Sequence, residues 1–179
     1  KNRGKTLLLP EQFRLCRRLS AALHKSLGSL IDSPESEREF EHHWTDKGSG
    51  LKCRVKFDLV FHGAEETIVI DLKTARSIHP RAFRSEVNHR KLWLQDAHYR
   101  AGAADKWPGK PVGFLFAAVR KTSPHRVRIF EMGDDARARG DTRYRELLGE
   151  LAECQRSGDW SDPDDDLIEK IDLPDEAFA

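Results

Sequence analysis

The chain is short of cysteine, of long apolar runs and of net charge, and each shortage excludes something. Its three cysteines, Cys16, Cys53 and Cys154, are odd in number and far apart. They offer neither a disulfide framework nor the four thiolates of an iron–sulfur or structural zinc site, and they point to a reducing, intracellular setting. No stretch approaches the roughly 18 consecutive apolar residues of a membrane span, and the start of the sequence does not read as a signal peptide. A cytoplasmic location is therefore expected. There is no internal repeat. At 179 residues, 38% apolar and 34% charged, the chain is sized for one domain spanning 1–179, with an acidic tail over 159–179. Because the sequence starts at Lys1 rather than Met, a segment upstream of it is expected.

The formal net charge of +1 conceals an uneven distribution. From Lys73 to Arg128 thirteen bases stand against three acids, a net of +10. From Gly158 to the end, nine acids stand against Lys170, a net of −8. A basic middle suits a polyanion such as nucleic acid, and it equally describes a solvated polar surface.

Hydrophobic periodicity divides the chain into helices and strands. Phe13, Leu15, Leu19, Ala22, Leu23 and Leu27 recur at helical steps after Pro10, which predicts an amphipathic helix with proline near its start, ended by Gly28 or by the "DSPES" that follows. "REFEHHWTD", "LKCRVKFDLVF" and "ETIVIDLKT" read as three strands. The short connections "DKGSG" and "HGAE" predict an antiparallel meander. Phe83, Val87, Leu92, Leu94, Ala97 and Ala101 mark a further helical region in one or two pieces. "KPVGFLFAAVRK" and "HRVRIFEM" predict two more strands, and "ARGDTRYRELLGELAECQRSGDW" a long final helix. The order α-βββ-α-ββ-α implies an α/β protein in the α+β sense: one mixed sheet flanked by helices.

Within the strands, "KCRVKFDLVFHGAEETIVIDLKTA" carries two aspartates and a lysine. Side chains two apart share a strand face, so Asp71 and Lys73 are neighbours with Leu72 turned away. Two carboxylates are enough to hold Mg²⁺, whose other ligands are commonly waters and phosphate oxygens of the substrate. An ammonium beside them can orient a water or offset charge developing at phosphorus. The same D-x-K also describes an ordinary surface ion pair at a strand end. The distance between Asp58 and Asp71 depends on a strand register that the sequence leaves open. Gln95 and Tyr99 lie four residues apart on one helical face, a spacing suited to two hydrogen bonds along a nucleic-acid backbone. Arg54 and Lys56 precede Asp58 at two-residue steps and are candidate phosphate contacts.

The succession "EFEHHWTD", "GLKCRVKFD", "VIDLKTA", "HPRAF", "LQDAHY", "CQRSGDW" and "IDLP" resembles the nuclease domain of exonuclease VIII, the RecE-type branch of the PD-(D/E)XK nuclease superfamily. The resemblance runs from about Leu8 to Pro174. It implies a restriction-endonuclease-like core, with Asp58 and Asp71 as metal ligands, the backbone carbonyl of Leu72 completing the shell and Lys73 as the catalytic lysine. It further implies that Gln95 and Tyr99 form the Gln-x-x-x-Tyr pair that steadies the lysine or the DNA backbone, and that Glu39 stands where the family carries an acid ahead of Trp44. An upstream histidine that helps hold the metal is part of the family pattern and precedes this sequence. His24 is not expected to replace it, and His42, His43, His79, His89 and His98 show no ligand spacing.

The function implied by that resemblance is a Mg²⁺-dependent deoxyribonuclease, with Mn²⁺ as a substitute. It would be a 5′–3′ exonuclease on linear duplex DNA with a free end, acting in recombination. A single-strand annealing protein is a candidate partner and a homo-oligomer a further expectation; the acidic tail is either a solvated terminus, the favoured reading, or a strip for that partner. Two alternatives remain: a catalytically silent DNA-binding or assembly module with the same fold, and an endonuclease of the same superfamily.

Overall fold

Pro10 occupies the first turn of α1 (Pro10–Ile31), where its missing N–H costs nothing. The remaining elements of the computed structural model, which describes residues 7–161, follow in chain order. They are β1 (Ser36–Thr45), β2 (Lys52–His62), β3 (Thr67–Ala75), α2 (Pro80–His89), α3 (Leu92–Lys106), β4 (Val112–Arg120), β5 (Val127–Glu131) and α4 (Asp134–Ser157). Most of the acidic tail expected over 159–179 lies outside the described residues. The helical region expected after His79 is two helices, divided at Arg90–Lys91, where Lys91 takes a left-handed backbone with φ of 53°. The final helix begins four residues earlier than its apolar pattern suggests, with Asp134 and Asp135 in the first turn, where the helix dipole favours acids.

The strands form one five-stranded sheet in the order β1-β2-β3-β4-β5. As the short turns predict, β1, β2 and β3 are an antiparallel meander. The pairing of β3 with β4 is parallel, and α2 and α3 make the crossover that such a pair requires. β5 returns antiparallel on β4. β3 and β4 are interior strands buried on both faces, so they read as near-continuous apolar runs rather than alternating ones.

Two cores lie on opposite faces of the sheet. Under α3, Val55, Phe57, Val60, Val69, Phe83, Phe114 and Phe116 pack together. On the other face, Leu27 of α1 meets Leu59, Ile70 and Ala117. Burying each large side chain contributes about 1.5–3 kcal/mol. The stripe read on the first helix is only half used. Leu19 and Leu27 are buried, whereas Phe13 is 54% and Leu15 37% exposed.

The register has one interruption. β1 and β2 pair from Ser36↔Phe61 to Thr45↔Lys52 except at Glu39 and Asp58. Glu39 there adopts φ of 52°, a left-handed conformation that costs a non-glycine residue about 1–2 kcal/mol. Across the interruption the alternation of β2 slips by one: Phe57 belongs to the core under α3, Leu59 to the core under α1, and Val60 to the α3 side again.

Candidate active site

β2 and β3 pair only over Leu59↔Ile70 to His62↔Thr67. Beyond Leu59 and Ile70 the strands part, β2 continuing along β1 and β3 along β4, so the sheet forks. The next residue on each side is an aspartate, and the same register sets Asp58 opposite Asp71. This supplies the register that the sequence left open.

At the fork, β3 has lost its β2 partner, and its backbone polar groups need replacements. Asp58 provides one: its Oδ2 accepts the N–H of Leu72 at 2.7 Å. In a strand the N–H and C=O of one residue face the same neighbour, so the Leu72 carbonyl also points into the fork. The Leu72 side chain is 38% exposed on the opposite face from Asp71.

Asp71 is 3% exposed. Its Oδ1 accepts the Gln95 side-chain amide at 2.7 Å. Its Oδ2 is in ion-pair contact with the Lys73 ammonium, yet this buried oxygen accepts no well-aligned hydrogen bond. Burial pushes the Asp71 carboxyl above the usual carboxylate range and the Asp58 charge adds to that, while Lys73 and Gln95 pull it back. A buried carboxylate facing a second carboxylate is an arrangement that a cation relieves.

Gln95 and Tyr99 project from α3 toward the fork, as their four-residue spacing predicts. Tyr99 packs edge-on against Phe57 at 5.6 Å and Phe114 at 5.7 Å. Burial raises the pKa of its phenol, partly offset by the Gln95 amide beside it. α3 can lie this low because Gly102 faces the sheet: a Cβ there would stand 2.9 Å from Val55 Cγ1 and 3.0 Å from the Trp44 ring.

The remaining candidates sit apart. Val55 and Phe57 face α3, so Arg54 and Lys56 point to the opposite side of the sheet from Asp71 and Gln95. There Arg54 pairs with Glu41 at 2.9 Å and Lys56 with Glu39. Glu39 is exposed and held by that lysine. Among the described residues, no three His, Cys, Asp or Glu side chains gather as a metal cluster, so the expected acid ahead of Trp44 is not part of the Asp58–Asp71 pair. His24 of α1 pairs with Asp32, the residue that caps the end of the helix.

The donor set suits a hard divalent cation: two facing carboxylates, one of them buried, and a backbone carbonyl turned into the fork, leaving positions for water and phosphate.

The sequence did not single out the groups that hold α3 in place. Asp96, 1% exposed, accepts Arg100 Nε at 2.8 Å, and Arg100 continues to Asp141 of α4 at 2.5 Å. His98 bridges the Tyr144 hydroxyl at 3.0 Å and the Arg54 carbonyl at 2.9 Å. The signal available was the i,i+4 spacing of Asp96 and Arg100.

A family profile described as "PDDEXK-like domain of unknown function (DUF3799)" matches residues 22–172. The chain belongs to this family. Its Asp71-Leu72-Lys73 has the form of the (D/E)-x-K in the PD-(D/E)XK superfamily name, while the earlier aspartate, Asp58, follows Phe57 where that name has proline. The fold of this PDDEXK-like domain also matches a solved structure from Eubacterium rectale described as a putative exonuclease. The TM-score is 0.66 at 14% identity, over 95% of this chain and 66% of that one. That likeness concerns the fold. The crystal structure of SSO0001 is more distant, with a TM-score of 0.45 at 18% identity, over 84% of this chain and 65% of that one. The chain thus spans slightly less than two thirds of either. No curated protein matches it significantly. Among the described residues, no helix is long and apolar enough to cross a membrane.

Proposed function

We propose that the domain is a Mg²⁺-dependent deoxyribonuclease, acting 5′ to 3′ from the ends of linear duplex DNA to leave single strands for recombination. The observation that carries this reading is the fork, where Asp58, the Leu72 backbone, Asp71, Lys73 and Gln95 meet within one hydrogen-bonded constellation. Exonuclease polarity and the recombination role rest on the resemblance to the RecE-type branch.

Asp58, Asp71 and the Leu72 carbonyl are the residues that would hold the cation. When bound, Mg²⁺ supplies Lewis-acid stabilisation of the phosphoryl oxygens and a more acidic water. The chain's own groups do the positioning. Gln95 fixes Asp71 Oδ1, leaving Oδ2 turned to Lys73. The Lys73 side chain, 11% exposed, is held at the edge of the fork. There its ammonium can donate to an attacking water or to a phosphate oxygen and offset negative charge in the transition state. Tyr99 places a phenol that remains protonated at neutral pH on the same helix face, as a donor to the phosphate backbone. Mn²⁺ fits the same oxygen donors. A single-strand annealing protein as partner, and a homo-oligomer around the DNA, accompany the exonuclease reading.

The test uses linear duplex labelled at either the 5′ or the 3′ end, beside covalently closed circles, in Mg²⁺. Early release of the 5′ label with circles intact is the expected result. Cut circles would reassign the domain as an endonuclease, and binding without cutting under any divalent metal would reassign it as a silent module.

A further inference from the structure

α2 is anchored by one fully buried side chain, Phe83, which stacks on Phe130 of β5 at 4.2 Å. Above that contact, a cleft of about 430 Å³ separates α2 from the first turns of α4, beside the start of α3. Its floor is apolar, made by Val87, Trp93 and Met132, and its rim carries Arg84, Arg139 and Arg143. Neighbouring arginines are matched: Arg90 by Glu86, Arg137 by Glu131, and Arg143 itself by Glu146 and Glu150. Arg84 and Arg139 form no ion pair among the described residues, although Asp134 and Asp135 border them on the α4 side. The Lys91 ammonium lies 5.8 Å from the centre of the Trp93 ring, adding positive charge over the indole.

We infer that this cleft binds an unpaired DNA strand, an inference that rests on the nuclease reading above. An aromatic and apolar floor under a cationic rim is the combination that takes bases on the floor and phosphates on the rim without regard to sequence. A duplex keeps its base faces stacked and is too wide for the cleft, so it would gain little from either the floor or these two arginines. The volume is that of a small-molecule site, enough for about one nucleotide of single strand and too little for a duplex. The cleft also adjoins α3, the helix that carries Gln95 and Tyr99. Trp93 lies two residues before Gln95 on α3, and α2 is part of the crossover that begins just after Lys73. A strand freed at the fork would be held on the far side of α3 from the cut.

The experiment measures fluorescence anisotropy of a labelled oligothymidylate and of a blunt duplex in EDTA across a salt series. The proteins are the wild type, Arg84→Gln/Arg139→Gln and the charge-preserving Arg84→Lys/Arg139→Lys. The Gln pair should weaken oligothymidylate binding about ten-fold and flatten its salt slope by about 1.4, for two lost single-strand phosphate contacts. The Lys pair should restore most of both, with duplex affinity little changed in either. Circular dichroism checks that the variants fold, and both positions are exposed. Unchanged oligothymidylate affinity and slope in the Gln pair would overturn the inference while leaving cleavage of linear duplex, and so the nuclease reading, intact. Groove-dependent strand binding in a wild type that cuts nothing would uphold the cleft and sink the nuclease reading.

Discussion

Gln95 on α3 donates its side-chain amide to Asp71 Oδ1 on β3 at 2.7 Å, tying the helix to the carboxylate that faces the lysine. The bond orients a group proposed to bind the cation, so its loss should act through the cation. Gln95→Leu is expected to weaken Mg²⁺ affinity about 10–100-fold, the range for losing a partner of a ligating carboxylate. Activity should largely recover at saturating Mg²⁺. A metal titration of cleavage rate checks this, and a loss that no Mg²⁺ concentration recovers would assign Gln95 a direct part in catalysis.

Lys73 is expected to matter to the chemical step more than to binding. Lys73→Met should cost on the order of 10²–10³ in cleavage rate, comparable to removing one charge-stabilising donor. DNA affinity, a sum over many basic residues, should change little. Single-turnover kinetics beside anisotropy separates the two effects.

The strained and slipped step at Glu39 and Asp58 was not legible in the sequence, and it determines the site. Alternation along "KCRVKFDLVF" puts Arg54, Lys56 and Asp58 on one face. The interruption of pairing at Glu39 turns Asp58 to the side of Asp71 and leaves Arg54 and Lys56 behind. Nothing in the residue pattern marks Glu39, since a left-handed glutamate is set by the register of two strands and not by local preference. By contrast, the meander follows from short turns, the two later strands from their apolar and β-branched runs, and the adjacency of Asp71 and Lys73 from the two-residue period of a strand. The Gln95–Tyr99 face followed from helical spacing, but its contact with Asp71 required the depth of α3, which Gly102 permits.

That depth is itself testable. Gly102→Ala would place a methyl 2.9 Å from Val55 Cγ1 and 3.0 Å from Trp44, with both neighbours packed. Overpacking of this kind costs about 1–3 kcal/mol. Urea denaturation should show that loss, with cleavage falling further than stability because α3 carries Gln95 and Tyr99 away from the fork. An unchanged midpoint would show that α3 has room to rise.

Asp71 also sets a pH dependence in the metal-free protein. Burial first, then the charge of Asp58, raises its native pKa above the unfolded value, against the pull of Lys73 and Gln95. Between those two values the native state binds more protons than the unfolded state, so stability falls as pH rises through the window. In EDTA, the melting temperature of the wild type should decline relative to that of Asp71→Asn as pH rises through the native pKa. Added Mg²⁺ favours the carboxylate and should reverse the trend. Parallel curves for the two proteins in EDTA would mean that Asp71 is ionised throughout.

The central claim is that the carboxylates at the fork, Asp58 and Asp71, hold a divalent cation with which Lys73 hydrolyses DNA. The most direct measurement is loss of linear duplex DNA in Mg²⁺ and in EDTA, by the wild type, Asp58→Asn, Asp71→Asn and Lys73→Met. The account predicts cleavage by the wild type in Mg²⁺ alone and its near-abolition in all three variants, each still folded. Cleavage that persists in EDTA, or in either asparagine variant, would contradict it.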